Sequence, residues 1–439
     1  MSKSIVCKYG GSVINTQEDI DTIARITADD KSRKVIIVSA PGKIKGSKKV
    51  TDMLIDLAKT KDKNLKDKIL TRYRMLSPNY DIKRLSILLN NKISSNLKGR
   101  AYEDNLKSFG EEACALVVAD ALGAEYVPAE ELFLVSEDFS KAQILPESRA
   151  IIKKRLKNLK RPIVTGGFYG KSKNNLIVTL DRNASDVSGG AIADALGAEV
   201  YEILKEKKGV NEAQPEFIAN AQMIDKLTFD EMRALSYAGF SVLHPSTIEY
   251  VEERSIPVHV RSTLDYPNKG TYVVKERIID SKKPIVGIAY RNGFCAFTLS
   301  RTGLNDMKGI LVDILTVFRD EGISVEHTPT GIDDVSVVFR QDQLSISGIN
   351  SISKRLQKVM GGKGHVKILY NLGCLVVAGR GLARDYTVSP TIPTTLYNAG
   401  IRPVFVSEGI NRNCIIYGIE HADANKAINA IYDKYLRRN

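Results

Sequence analysis

The stretch Lys8 to Ser12, Lys-Tyr-Gly-Gly-Ser, follows an apolar run near the start of the chain. Two consecutive glycines let backbone N–H groups approach an anion closely, and an adjacent lysine can neutralise a transferring phosphate. The pattern G-x-x-x-x-G-K-[ST] of P-loop enzymes does not occur in the sequence. The stretch therefore indicates either a phosphate-binding turn of another kind or a plain turn after a strand.

A second candidate is Ser108-Phe109-Gly110-Glu111-Glu112, which precedes the apolar helical pattern ACALVVADALGA. Ser108 followed three residues later by Glu111 is typical of a capping box at a helix N-terminus. The functional alternative is that Glu111 lies at the rim of a site and contacts the ammonium group of an amino-acid substrate. The two roles are compatible.

The third candidate is Arg182-Asn183-Ala184-Ser185-Asp186, between the strand-like LIVTL and the small-residue helix VSGGAIADALGA. The arginine fork suits bidentate binding of a carboxylate. Asp186 at a helix start meets the positive end of the helix dipole and can orient Lys8 or a metal ion. The structural alternative is that Ser185 or Asp186 caps the helix and Arg182 lies on the surface.

The five histidines are scattered, and neither G-x-S-x-G nor H-E-x-x-H occurs. The missing general base disfavours hydrolase and dehydrogenase chemistry. It is compatible with phosphorylation of a carboxylate, because an ionised carboxylate is already a nucleophile. Such a reaction needs positioning and charge neutralisation by lysine and Mg²⁺.

The elements that must position these residues alternate between apolar strand-like runs and helical patterns over roughly the first 280 residues. This alternation predicts a largely parallel sheet covered by helices on both faces. Three of the strand-like runs end in small-residue turns, and ligands of such sheets bind beyond the carboxyl ends of the strands. The turns predicted to form one rim are Gly10-Gly11-Ser12, Ser39-Ala40-Pro41-Gly42 and Thr165-Gly166-Gly167.

After Pro284 the chain shows an internal repeat. A strand, a helix and a strand are predicted in PIVGIAYRNGFCAFTLSR, GILVDILTVFRDEGI and DVSVVFR, and again in VKILYNLGCLVVAGRG, PTIPTTLYNAGI and NCIIYGI. Helix-ending Gly-Ile pairs occur at Gly322-Ile323 and Gly400-Ile401. The repeat predicts two copies of one small βαβ-type unit.

Composition restricts the class of protein. The net charge of +13 is spread over mixed-sign stretches such as 59–69, and the chain has no tryptophan and no basic run with interleaved aromatics, so nucleic-acid binding is disfavoured. No run is long and apolar enough to predict a membrane span or a signal-peptide core. The five cysteines form no C-x-x-C, which favours reduced thiols and a cytoplasmic location.

Taken together and in order, the motifs resemble those of the aspartokinase family, which is part of the amino-acid kinase superfamily, fused to tandem ACT domains. The resemblance runs essentially from end to end and is greatest to lysine-responsive, monofunctional bacterial members. The segments that carry it are CKYGGSV, VIIVSAPGK, SFGEE, TGGFYG, DRNASD, EMRALSYAGFSVLHP, IPVHVRST and VEHTPTGIDDVSVVF.

The resemblance implies an αβα sandwich of the amino-acid-kinase (carbamate-kinase-like) type over residues 1–280. Two α+β ferredoxin-like ACT domains would follow over 284–367 and 368–439, with elements that can interleave. It also implies ATP with Mg²⁺ and L-aspartate as reactants, an amino-acid effector with lysine favoured over threonine, and a homo-oligomer formed through the ACT domains.

The resemblance further assigns roles to individual residues. Lys8 and Asp186 would be catalytic, with Lys8 stabilising the transferring phosphoryl group and Asp186 organising Lys8. Residues implied to bind aspartate are Ser39, Thr51, Glu111, Phe168, Arg182 and Ser185. Residues implied to bind the nucleotide, besides Lys8, are Gly10, Gly11, Ser12, Lys205, Glu206, Asn211 and Ser241. Residues implied to bind the effector are Met307, Val325, Glu326 and Thr330.

The nucleotide rim departs from the family pattern. Lys205-Glu206 stands where Thr-Asp is usual, residues 209–211 and 214–216 replace G-[VI]-Y and D-P-R, and Ser241 replaces a common lysine. Lys205 is predicted to supply a phosphate-binding charge from a new place. Two alternatives stay open: another amino-acid kinase, acting on glutamate, acetylglutamate or a nucleotide, and a non-catalytic amino-acid sensor that has lost nucleotide binding.

Overall fold

The computed structural model describes residues 4–157, 159–181, 184–240, 243–280, 283–385 and 387–437. It divides into two compact units. The first comprises residues 1–210, 223–232 and 241–277, and the second comprises 211–222, 233–240 and 278–439. The sequence-based division at residues 280, 284 and 367 stays a prediction.

The first unit is built on strands that alternate with helices, as the sequence pattern predicts. Its strands are β1 (Ile5–Tyr9), β2 (Arg33–Val38), β3 (Glu125–Tyr126), β4 (Ile163–Gly166), β5 (Tyr169–Lys171), β6 (Ile177–Thr179), β7 (Val200–Lys205), β8 (Lys226–Thr228), β9 (Val258–Ser262) and β10 (Thr271–Val274). The helices that lie wholly or partly in it are α1 (Gln17–Asp29), α2 (Val50–Thr60), α3 (Lys63–Leu76), α4 (Ile82–Ile93), α5 (Gly99–Leu122), α6 (Ser148–Arg155), α7 (Ser185–Leu196), α8 (Phe229–Tyr237) and α9 (Pro245–Glu252).

Eight of these strands form one sheet in the order β3-β4-β2-β1-β7-β9-β10-β8, and β5 pairs with β6. The neighbours in the eight-stranded sheet run parallel except for the antiparallel pair β9 and β10. Side chains alternate along β1, so Cys7 and Tyr9 pack into a core with α1, α2, α3 and α5, while Lys8 faces the side of the sheet that α7 covers. Helices therefore cover both faces, and the predicted αβα sandwich is confirmed.

Two predicted helix starts need correction. Ser108 does not cap a helix, because it lies inside α5, which begins at Gly99. The Ser108 hydroxyl instead donates to the Asn105 carbonyl at 2.8 Å. Neither Ser185 nor Asp186 caps α7, whose N-cap is Ala184 without a side-chain bond. Both residues instead lie in the first turn of α7, where their side chains are available for other contacts.

The second unit contains the predicted repeat. Its elements are β11 (Gly287–Ser300), α10 (Ile310–Asp320), β12 (Val325–His327), β13 (Asp334–Arg340) and α11 (Ile346–Val359), followed by β14 (His365–Ala378), α12 (Val388–Asn398), β15 (Phe405–Glu408), β16 (Cys414–Glu420) and α13 (Ala424–Tyr435). Each half reads β-α-β-β-α, which confirms the repeat. The six strands form one antiparallel sheet, β12-β13-β11-β14-β16-β15, with the first strands of the two halves adjacent at its centre. The predicted boundary at residue 367 falls within β14.

Candidate active site at the carboxyl edge of the parallel sheet

The candidate site lies where four neighbouring parallel strands, β4, β2, β1 and β7, end at the same edge. Lys8 is the penultimate residue of β1, and Lys205 is the last residue of β7. The turn at Gly10 follows β1, Ser39 follows β2, and Gly167 follows β4. The three small-residue turns singled out in the sequence therefore share one edge of the sheet.

Asp186 joins the two lysines at this edge. Lys8 Nζ lies 2.7 Å from Asp186 Oδ1, and Lys205 Nζ donates to Asp186 Oδ2 at 3.0 Å. Burial alone would raise the pKa of Asp186, but Lys205 and Lys8 outweigh it and lower the pKa to about 2. Burial also lowers the pKa of Lys8, against the opposing effect of Asp186. The cluster is thus a fixed anion between two cations, with a net positive charge available to an anionic ligand.

The two lysines differ in accessibility. Lys8 is buried, whereas the Lys205 side chain is 20% exposed. The Lys205 stem lies over the glycine turn, since a Cβ added at Gly10 would meet Lys205 Cγ at 3.4 Å. Lys205 therefore presents its charge from the outer side of Asp186, next to the turn predicted to hold phosphate.

Glu111 reaches the same edge from α5. Its Oε1 accepts a hydrogen bond from the Ala40 N–H at 3.1 Å. Its Oε2 is buried and has no hydrogen-bond partner among the described residues. Burial raises the pKa of Glu111 to about 8, because the Ala40 N–H and the more distant Lys8 oppose burial only in part. A buried carboxylate oxygen without a partner is costly, and it is the atom that a ligand cation would satisfy.

Glycines allow these elements to approach. A Cβ at Gly11 would collide with the carbonyl oxygen of Ala40, and Gly42 N–H donates to the Gly11 carbonyl at 2.8 Å. A Cβ at Gly167 would lie 2.8 Å from the Ser185 Cβ. The turns after β1, β2 and β4 are therefore packed backbone against backbone, which brings the residues they carry into one site.

Phe168, at the end of β4, has a backbone φ of +73°, which is rare for a bulky residue. Its N–H donates to Ser188 Oγ at 3.0 Å and its carbonyl accepts from the Leu180 N–H at 2.7 Å. Backbone held in such a conformation concentrates at functional sites. Ser188 was missed in the sequence, although its spacing of three residues from Ser185 places both on one face of α7.

The other predicted substrate and nucleotide residues differ in their burial and in the elements that carry them. Ser39 is half-buried beside Ala40, and Thr51 is the half-buried second residue of α2. Ser12 and Glu206 are exposed, in the glycine turn and directly after β7. Asn211 belongs to the second unit. Arg182 and Ser241 lie outside the described residues.

The predicted effector residues belong to the second unit. Val325 and Glu326 lie on β12, Thr330 forms a bridge to Val335, and Met307 Sδ accepts from Arg301 at 2.9 Å. No hydrogen bond joins the four side chains to one another in the part of the chain that the structure describes.

Beside these residues lies a small aromatic cluster in the same unit. Tyr237 Oη is 3.0 Å from His327 Nε2, and burial, with smaller contributions from Cys374 and Glu326, raises the pKa of Tyr237. Burial lowers the pKa of His327, against a smaller opposing effect of Glu326. The Glu326 carboxylate is thus close to polar groups of its own unit.

The described residues contain neither a candidate metal-ion cluster nor a membrane-spanning helix. Within them, no three or more His, Cys, Asp or Glu side chains gather closely enough to hold a metal ion. Among the helices of these residues, none combines the length and the apolar character that a membrane span requires.

Comparison with known proteins identifies relatives over the whole chain. The model of the amino acid kinase family matches residues 3–262. Aspartokinase 3 of Bacillus subtilis (strain 168) is 30% identical over 449 residues, covering 98% of each chain. The crystal structure of Clostridium acetobutylicum aspartate kinase superposes with a TM-score of 0.87 at 28% identity, covering 98% of this chain and 100% of that one.

Escherichia coli aspartokinase III, solved in complex with aspartate and ADP, has the same fold, with a TM-score of 0.80 at 21% identity over 99% of this chain and 100% of that one. The resemblance inferred from the sequence motifs is confirmed by these matches. The chain therefore belongs to the amino acid kinase family and, within it, to the aspartokinases, and it is an aspartate kinase.

Proposed function

We propose that the chain transfers the γ-phosphoryl group of Mg–ATP to the side-chain carboxylate of L-aspartate, forming 4-phospho-L-aspartate and ADP. This proposal rests on two features at one sheet edge: Glu111 Oε2, a buried acceptor without a partner among the described residues, and the cation cluster around Asp186. The first suits an ammonium group and the second suits phosphates, and aspartate phosphorylation requires both.

In this mechanism the aspartate side-chain carboxylate attacks the γ-phosphorus. The bond from that phosphorus to the β–γ bridging oxygen breaks, and ADP leaves with the electron pair. No general base is needed, because the attacking carboxylate is already ionised. Lys8 neutralises charge on the transferring group, since its Nζ is held 2.7 Å from the fixed carboxylate of Asp186.

Glu111 binds the α-ammonium of aspartate. In the empty site its carboxyl group is largely protonated near neutral pH, because burial raises its pKa to about 8. An arriving ammonium supplies the missing counter-charge, which lowers this pKa and releases the proton. Ser39, Thr51, Phe168 and Ser185 are proposed as further aspartate contacts, and Arg182 is proposed, from the sequence motif alone, to bind a carboxylate of the substrate.

Mg²⁺ is proposed to enter as part of the nucleotide substrate, bound to the phosphates of ATP. Asp186 is engaged by both lysines, and among the described residues no three or more His, Cys, Asp or Glu side chains gather closely enough to hold a metal ion. The glycine turn at 10–12 and Lys205 are proposed to receive the phosphates, with Glu206 as a rim position. Asn211 and Ser241 are assigned to the nucleotide by the sequence resemblance alone.

The metabolic role and the feedback effector are proposed from the same family membership. Phosphorylated aspartate would supply lysine, threonine and methionine biosynthesis in the cytoplasm. Lysine is the proposed feedback effector, with Met307, Val325, Glu326 and Thr330 contributing to its site. E. coli aspartokinase III has been solved in complex with lysine and aspartate, and it shares the fold at 20% identity with a TM-score of 0.77.

A homo-oligomer formed through the second unit is proposed, from the sequence resemblance, to complete the effector site. The effector would shift the population of conformers in proportion to its differential affinity for them. Turnover measured with and without lysine, and then with threonine, distinguishes the two candidate effectors.

The test of the proposed reaction is a trap for the acyl phosphate. Purified protein is incubated with Mg–ATP, hydroxylamine and aspartate, and then with glutamate or acetylglutamate in place of aspartate. Hydroxylamine displaces phosphate from an acyl phosphate and forms a hydroxamate. The proposal predicts aspartyl hydroxamate at a rate that requires ATP, and much less with the other acceptors. ATP-dependent hydroxamate from another acceptor, with none from aspartate, contradicts it.

A further inference from the structure

Arg72 is a buried arginine of α3, in a polar helical segment to which the sequence motifs assign no role. It is 3% exposed. Its Nη2 donates to Asn15 Oδ1 at 2.8 Å and to the Gly42 carbonyl at 3.1 Å, and its Nη1 donates to the Lys48 carbonyl at 3.3 Å. All three acceptors are neutral.

The charge of Arg72 has no counter-ion among the residues that the structure describes. No carboxylate in the described residues forms an ion pair with it, and its Nε is buried without an acceptor there. Burial lowers the pKa of Arg72, and only the neighbouring Tyr73 opposes this effect. A buried guanidinium surrounded by neutral acceptors is unfavourable by itself, and a nearby anionic ligand offsets its cost.

The acceptors of Arg72 connect it to the predicted phosphate-binding turn. Asn15, which receives one bond from Arg72, donates through Nδ2 to the Ser12 carbonyl at 2.9 Å and to the Gly11 carbonyl at 3.4 Å. Gly42, which receives another, donates its N–H to the same Gly11 carbonyl at 2.8 Å. Through these hydrogen bonds the Arg72 guanidinium thus supports both the turn after β1 and the segment after β2.

The next residue of α3 braces the other half of the site. Tyr73 Oη donates to the Gly110 carbonyl at 2.7 Å, directly before Glu111, and its ring packs edge-on against Phe109 at 5.8 Å between centroids. The two neighbouring side chains therefore support different sides of the site: Arg72 supports the turn that faces the phosphates, and Tyr73 supports the helix segment that carries the ammonium-binding carboxylate.

We propose that Arg72 is a positioning residue for the phosphoryl donor. It holds the Gly11–Ser12 backbone in its anion-binding geometry and places beside it a positive charge that has no counter-ion among the described residues. Mg–ATP would supply this counter-ion. The inference rests on the proposed function, because it takes the turn to be the phosphate site. It gives α3 a part in binding the phosphoryl donor.

The test compares Arg72→Met with Arg74→Met, a matched control on an exposed position of the same helix. Calorimetry with Mg–ATP and steady-state kinetics are run on the full-length chain. We expect Arg72→Met to weaken Mg–ATP binding and to raise the ATP KM by about tenfold, with the aspartate KM changed less than about twofold. Arg74→Met should match the wild type in each measurement.

Two further variants separate positioning from a general loss of structure. Arg72→Lys keeps the charge but not the three-acceptor fork, so it should recover part of the Mg–ATP affinity. Tyr73→Phe should raise the aspartate KM and leave the ATP KM nearly unchanged, which is the reverse of the effect expected for Arg72→Met. If Arg72→Met fails to fold, Arg72→Lys and Asn15→Ala decide the question, because both must then weaken Mg–ATP binding more than aspartate binding.

Unchanged Mg–ATP affinity in Arg72→Met, or equal effects on both substrates in the folded variants, overturns the inference. Failure of the proposed function is distinguishable from this outcome, because the wild type would then form no aspartyl hydroxamate. Calorimetry would still report whether Arg72 supports nucleotide binding.

Discussion

Asp186 and Glu111 are two carboxyl groups of one site that are almost equally buried, 3% and 4% exposed, yet at neutral pH Asp186 is expected to be ionised and Glu111 to be protonated. The pKa of Asp186 is lowered to about 2, and that of Glu111 is raised to about 8. Burial acts in the same direction on both. The difference lies in the counter-ions, since Asp186 has two lysines in contact, whereas Glu111 accepts from backbone N–H and forms no ion pair among the described residues.

The comparison assigns a task to each region. The Asp186 region has its charges fixed before any ligand arrives, which suits preorganised stabilisation of a transferring phosphoryl group. The Glu111 region gains its charge only when a cation binds, which suits recognition of an ammonium group. Substitutions at three positions test this contrast, and the expected effect decreases from Lys8 through Glu111 to Lys205.

The largest effect is expected at Lys8. Lys8→Met removes the buried cation nearest to Asp186, and we expect kcat to fall by about a thousandfold, because preorganised charge at a transferring group is worth several kcal/mol. Lys8→Arg should recover little, since the longer planar fork cannot occupy the position of a compact ammonium. The measurement is the steady-state rate of hydroxamate formation with both substrates saturating. A loss in kcat below about tenfold would contradict a catalytic Lys8.

An intermediate effect is expected at Glu111. Glu111→Gln should raise the aspartate KM by about 10- to 100-fold and leave the ATP KM nearly unchanged, because it removes one charged hydrogen bond to the ammonium group. The matched control is Glu112→Gln, whose parent carboxylate is paired with Lys92 at 2.9 Å. The control should leave the aspartate KM near the wild-type value.

Glu111→Gln also tests the direction in which the aspartate KM changes with pH. With the Glu111 pKa raised to about 8, the carboxyl group is mostly protonated below that pH, and only its ionised form attracts an ammonium. The wild-type aspartate KM should therefore fall as pH rises from about 6 and level off above about 8. The Glu111→Gln profile should be flat over this range, and a wild-type KM that rises with pH would contradict the assignment.

The smallest effect is expected at Lys205. Lys205 is the outer and more exposed of the two lysines. When Lys205 is removed, Asp186 still has its ion pair with Lys8. Lys205→Ala should raise the ATP KM by about tenfold or less and leave the aspartate KM nearly unchanged. Lys207→Ala, at an exposed position two residues later, is the control. Equal changes in both KM values would remove Lys205 from the nucleotide rim.

Much of this arrangement is predictable from the sequence. The alternation of strands and helices gives the parallel sheet, and the carboxyl ends of its strands gather Lys8 and the glycine turns. The motif resemblance pairs Lys8 with Asp186. The Gly-Ile spacing in the last third of the chain predicts the repeat of the second unit. These features depend on local periodicity or on ordered motifs.

Other features depend on packing that the sequence pattern does not encode. Ser108 looks like a cap, but α5 begins nine residues earlier, because a cap motif inside a long helical pattern competes with helix propagation. Contact of Lys205 with Asp186 depends on the pairing of β7 with β1. Arg72 lies 57 residues along the chain from Asn15, through which it supports the turn, in a helix to which the sequence motifs assign no role.

The most direct test of the contrast between the two carboxylates is the proton balance of aspartate binding. Calorimetry at about pH 7, in buffers of different ionisation enthalpy, counts the protons released when aspartate binds. Because Glu111 is protonated in the empty site and ionised beside the ammonium, we predict about one proton released per aspartate in the wild type and none in Glu111→Gln. Aspartate binding to the wild type without proton release would contradict the account.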